Sequence, residues 1–92
     1  MAYKLIVQVE AIVDIQEAFE WYEQQKDNLG FELIDEIEAC YDKIVTHPER
    51  YSFINPLYRR IKTDRFPFVI IFEIEDDLII VNSVRHAKRK PI

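Results

Sequence analysis

Nine side chains between residues 59 and 90 of this 92-residue chain are of types that could do chemistry: Arg59, Arg60, Lys62, Arg65, Arg85, His86, Lys88, Arg89 and Lys90. Eight carry a fixed positive charge, and such groups hold carboxylates and phosphates. The ninth is an imidazole, a side chain of the type that can act as a general acid or base. Spacing sorts the first members of the set. On a strand Arg60 and Lys62 share one face with Tyr58, while Arg59 and Ile61 take the other. A plainer role competes with binding: a solvated basic edge and tail that discourages strand-to-strand aggregation.

Other chemistries lack their residues. Cys40, His47 and His86 show no metal-ligand spacing. Gly30 stands alone, so there is no glycine-rich phosphate loop. Ser52 and Ser83 have no nucleophile motif around them. No cofactor is expected. Cys40 falls on an apolar helical stripe and reads as an inert core thiol. Trp21 falls just outside the apolar stripe and reads as a boundary core residue or a partner contact, with the core the safer reading.

These side chains must be positioned by a β-rich stretch, residues 66–91. One run alternates Phe68, Ile70, Phe72 and Ile74 with Val69, Ile71, Glu73 and Glu75. A second alternates Leu78, Ile80, Asn82 and Val84 with Ile79, Val81, Ser83 and Arg85. The turn between them falls at Glu75-Asp76-Asp77, which makes a hairpin. Upstream, residues 3–9 alternate as a strand. Residues 11–25 carry Ile15, Ala18, Phe19 and Tyr22 at helical spacing. Residues 26–30 break that pattern as a short connection, and residues 31–46 resume it with Leu33, Ile34, Ile37, Cys40, Tyr41 and Ile44. The second helix should stop before His47-Pro48, because a residue preceding proline is pushed out of the α region. Residues 49–57 read as an ordered loop with docked aromatics, and 58–62 as a short strand. The order is β-α-α-β-β-β: an α+β domain spanning residues 1–92, an antiparallel meander with a helical hairpin packed on one face.

Composition bounds the function. The net charge is −5. Residues 1–57 carry four Lys/Arg against twelve Asp/Glu, whereas residues 58–92 carry eight against five. An acidic body makes a poor general nucleic-acid binder. A basic patch on it suits a focused contact with an acidic protein. The start of the chain lacks a signal-peptide pattern and no apolar run reaches the ~20 residues of a membrane span, so the expected location is the cytoplasm.

The ordered set Trp21-Tyr22, Leu29-Gly30-Phe31, His47-Pro48, Tyr58-Arg59-Arg60-Ile61, Phe66-Pro67-Phe68 and His86-Ala87-Lys88-Arg89-Lys90-Pro91 resembles the RelE/ParE toxins of bacterial type II toxin–antitoxin systems. The resemblance implies a small toxin neutralised by a cognate antitoxin. It also implies two targets. RelE-like members cut mRNA on the ribosome without a metal; here that would fall to His86 as general acid with Arg60 or Arg65 stabilising charge on the phosphate. ParE-like members poison DNA gyrase. Val69 stands where the nucleases carry a catalytic Arg, and no Tyr follows Tyr58. The reading is therefore ParE-like, with gyrase as target and Arg59, Arg60, Lys62, Arg85, Lys88 and Arg89 binding antitoxin or target. A degenerate toxin that keeps only antitoxin binding is a third reading. A homodimer or a toxin–antitoxin hetero-oligomer is compatible with all of them. The physical premise is one concave surface gathering these cations.

Overall fold

The computed structural model describes residues 3–87. Strand β1 is Lys4–Val7, helix α1 Val9–Gln25, helix α2 Leu29–Thr46, and strands β2, β3 and β4 are Arg59–Lys62, Phe68–Glu75 and Leu78–His86. A single turn of 3-10 helix, Pro48–Arg50, follows α2. The expected element order holds.

The four strands lie in the order β1-β4-β3-β2. β2, β3 and β4 form the expected antiparallel meander. β1 joins β4 in parallel, Lys4 opposite Leu78 through Val7 opposite Val81, so the sheet is mixed. A parallel neighbour needs a long crossover, and the helical hairpin is part of it. The turn between β3 and β4 has φ 56° at Asp76, while Asp77 has no positive φ. A positive φ is tolerated by a side chain as short as Asp, which can hydrogen-bond locally.

The two helices cover one sheet face. Leu33, Ile37, Cys40 and Ile44 of α2 meet Ile70, Phe72, Ile79 and Val81 of the sheet in one buried core. Each fully buried aliphatic or aromatic side chain contributes about 1.5–3 kcal/mol relative to exposure. That outweighs the weak local preference of the short strands. Burial also raises the Cys40 thiol pKa, which keeps the group protonated and fits the expected inert role.

The helix connection differs from its expectation. It is residues 26–28, and Asn28 makes the reversal at φ 72°. Gly30 lies inside the first turn of α2 and is buried. A Cβ there would stand 2.7 Å from the Phe19 carbonyl oxygen and 2.8 Å from Glu23 Cγ. Its N–H donates to Glu23 Oε2 at 2.7 Å. This glycine is therefore a close-approach residue between helices, not a turn residue. Trp21 is a second correction: it is 56% exposed.

Candidate functional site

The site begins with a break in alternation. Ile71 pairs with Ser83, but the next residue, Phe72, pairs with Val81, so Asn82 is an extra residue in β4. Such a bulge reverses the facing of all that follows in the strand. Up to Val81 the odd positions face the helices, and beyond Asn82 the even ones do. Val84 pairs with Ile70 and His86 with Phe68, both on the helix side. The sequence expectation of unbroken alternation through Val84 fails here, because periodicity cannot see a single inserted residue.

The bulge arranges the face that the helices leave open. Directly paired residues lie on the same side of a sheet. One rung therefore joins Lys62, Val69 and Arg85, and the next joins Arg60, Ile71 and Ser83. Further along come Ile80 between Ile6 and Glu73, then Leu78 between Lys4 and Glu75. The open face is cationic at one end, apolar across the middle and mainly acidic at the other. Asn82 steadies the boundary by donating to Glu73 Oε2 at 3.1 Å. Loop residues 54–58 and the start of α1 flank this face, making a depression of about 760 Å³ that contains Ile71, Ser83 and Arg85.

Arg59 sits elsewhere. It pairs with Phe72, which places it on the helix side. Its Nη1 donates to the Tyr51 carbonyl at 2.8 Å and the Glu49 carbonyl at 3.1 Å. Its guanidinium lies 3.8 Å from the centroid of the Phe53 ring. These contacts tie the 49–53 segment to β2. Tyr51 docks edge-on against Phe72, whereas Phe53 and Ile54 stay largely exposed, so only part of the loop's aromatic docking holds.

Arg65 is also separated. Its guanidinium forms an ion pair with Glu32 of α2. Its backbone N–H donates to both Glu36 carboxylate oxygens at 2.9 Å. The Glu36 carboxylate also accepts from the Phe66 N–H at 3.1 Å. The turn into β3 is thus pinned to α2.

His86 packs edge-to-face on Phe68, ring centroids 5.4 Å apart. It lines a groove of about 390 Å³ with Trp21, Tyr22, Asp14 and Glu17. Asp14 is held there because its carboxylate accepts the Val84 N–H at 3.0 Å. The imidazole therefore faces aromatic rings and carboxylates. Arg60 lies on the opposite sheet face, and Arg65 is paired with Glu32. The set His86, Arg60 and Arg65 does not converge.

The expectation of one surface is corrected in part. Arg60, Lys62 and Arg85 come together, whereas Arg59, Arg65 and His86 do not. Lys88 and Arg89 lie outside the described residues. Two cations that sequence reasoning passed over, Lys43 and Arg50, reach the outer edge of β2 beside Arg60 and Lys62. Nothing in their spacing signals this, since α2 and the 3-10 turn bring them there only through tertiary packing.

This architecture has relatives. A family model described as the ParE toxin of type II toxin–antitoxin system, parDE, matches residues 5–91. Among solved structures, a chain titled as the chromosomal ParDE TA system from P. aeruginosa superposes with a TM-score of 0.84. That match covers 95% of this chain and 98% of the other at 13% identity, so it is a likeness of fold. A comparison with curated proteins gave no match. No helix among the described residues is long and apolar enough to cross a membrane. The family match spans nearly the whole sheet and both helices, and it agrees with the resemblance carried by the motifs: the chain belongs to the ParE toxin family of type II toxin–antitoxin systems.

Proposed function

We propose that this type II toxin is neutralised by a cognate antitoxin whose acidic side chains meet Arg60, Lys62 and Arg85, and that its target is DNA gyrase. The observation that carries the antitoxin reading is the pair of adjacent rungs Lys62–Val69–Arg85 and Arg60–Ile71–Ser83. Three cations from two strands, Arg60 and Lys62 of β2 and Arg85 of β4, give complementary charge a defined place to dock on one face. Lys88 and Arg89 follow Arg85 closely in the chain and add to the same interaction. Arg59 serves it indirectly, by holding the 49–53 segment against β2.

Membership of the ParE family supports gyrase over the ribosome. So does the separation of His86 from Arg60, because an acid–base nuclease needs its proton donor and its charge stabiliser within reach of one phosphate. The test is a supercoiling assay with purified gyrase. The wild-type toxin should raise the fraction of cleaved DNA, and the antitoxin should suppress that rise. An inert toxin in this assay, together with ribosome-dependent mRNA cleavage, would replace gyrase by the nuclease reading. Inertness in both, with antitoxin binding kept and no slowing of growth, would identify a degenerate toxin.

A further inference from the structure

We infer that the outer edge of β2 is an anion cradle that receives an acidic, extended segment of a protein partner. It deepens the antitoxin reading above by extending the contact around the sheet edge to α2. The cradle is a depression of about 380 Å³ whose lining includes Lys43, Arg50, Ser52, Arg60 and Lys62. Lys43 comes from the last turn of α2 and Arg50 from the end of the 3-10 turn. Arg60 and Lys62 come from alternate positions of β2.

Protection of a strand edge does not account for this convergence. Cations often guard an exposed edge. Here the edge is already partly covered, since the Arg60 N–H donates to the Ser52 carbonyl at 3.1 Å and Phe53 bridges to Arg59. Lys43 and Arg50 do not belong to the strand at all. The one carboxylate in the lining, Asp64, lies 4.0 Å from Lys43 Nζ, and both side chains are mostly exposed. Among the described residues, Arg50, Arg60 and Lys62 form no ion pair. The cradle therefore has unspent positive charge.

The chemistry favours carboxylates on a peptide over a phosphodiester chain. Asp64 is in the lining, and Asp42 lines the adjoining depression with Lys43 and Arg50. A nucleic-acid strand carries a charge at every residue and cannot avoid these carboxylates. A peptide can set its acidic residues against the four cations and neutral ones against Asp42 and Asp64. Because Arg60 and Lys62 also belong to the open face, such a segment passes from that face over the β2 edge towards the end of α2.

The test is an NMR titration of the full chain with an alternating glutamate–glycine peptide, with an oligothymidylate of equal charge as the second arm. The peptide should shift the signals of Lys43, Arg50, Ser52, Arg60 and Lys62. The double variant Lys43→Glu/Arg50→Glu should bind it about tenfold or more weakly and with a shallower salt dependence. Thermal unfolding of the variant verifies that it is folded; if it is not, Lys43→Gln and Arg50→Gln, which remove charge without reversing it, should each weaken binding. Three results would overturn the inference: shifts confined to residues 85–92, unchanged affinity in the folded variants, or tighter binding of the oligothymidylate. The titration contains no gyrase and no antitoxin, so failure of the gyrase reading leaves its outcome unaffected.

Discussion

Arg85 and His86 are neighbours in the chain and lie on opposite faces of the sheet, Arg85 opposite Val69 and His86 opposite Phe68. Opposite facing is normal for successive strand residues. Which one joins the cations is decided by the extra residue at Asn82. Were Asn82 paired regularly with Ile71, Val84 would fall opposite Val69, Arg85 would fall opposite Phe68 on the helix side, and His86 would turn to the open face. The bulge thus sets a guanidinium on the open face and an imidazole among rings and carboxylates.

The first prediction follows from that partition. Charge reversal at Arg60, Lys62 or Arg85 should weaken antitoxin binding, chiefly through slower association, with an effect that shrinks as salt is raised. His86→Ala should leave the yield of gyrase-cleaved DNA unchanged. Surface-plasmon binding at two ionic strengths and the supercoiling assay read the two effects. Equal sensitivity of antitoxin binding to all four changes would contradict the division of the faces.

Gly30→Ala should destabilise the fold by about 1–3 kcal/mol, the usual cost of forcing a methyl group into a packed contact. The added carbon would press on the Phe19 backbone oxygen at 2.7 Å, which cannot swing aside as a side chain could. Urea denaturation gives the change from the shift in midpoint at constant slope. An unaltered midpoint would mean that the helices separate at little cost.

Tyr41 gives a prediction at alkaline pH. Its hydroxyl is buried, has no hydrogen-bond partner among the described residues, and is pushed up to about 12 by burial, with smaller contributions from Cys40 and Glu38. In the unfolded chain it titrates near 10. Between these values the unfolded state holds fewer protons than the folded one. Stability should therefore fall as pH rises from about 10 to 12. Tyr41→Phe should lessen this loss, the part due to the raised Tyr3 and Tyr22 hydroxyls remaining, and be neutral or slightly stabilising at pH 7, because an unpaired buried hydroxyl is exchanged for an apolar group. Thermal unfolding of both proteins across this range checks it, alongside ultraviolet titration of the tyrosines.

Glu36→Ala should loosen the turn before β3. The carboxylate accepts the backbone N–H groups of Arg65 and Phe66, and its loss should cost about 1–2 kcal/mol. Hydrogen exchange at those two amides should accelerate more than exchange in the β3–β4 hairpin. Uniform acceleration would indicate global rather than local destabilisation.

Much of the architecture could be read from residue order. The apolar spacing in α1 and α2, the alternation of β3, the acidic turn at Asp76-Asp77 and the stop before Pro48 each follow from local stereochemistry and burial. They hold in the structure because every local preference agrees with the same core. Arg60 and Lys62 share a face, as their spacing predicts, because β2 is regular. Motif order likewise carried the family, because it is spread over nearly the whole chain.

What residue order left open depends on contacts between distant segments. The parallel placement of β1 beside β4, the insertion of Gly30 against Phe19, and the arrival of Lys43 and Arg50 at β2 have no local signature. The same holds for the grip of Arg59 on Tyr51 and of Arg65 on Glu32, which remove two expected cations from the open face. The bulge at Asn82 matters most. An extra residue in a strand leaves composition and hydrophobicity unchanged, yet it moves each later side chain to the other face. The sequence by itself determined which charges the protein has and which elements carry them. Hydrogen-bond register between strands, a tertiary property, decided which of those charges meet.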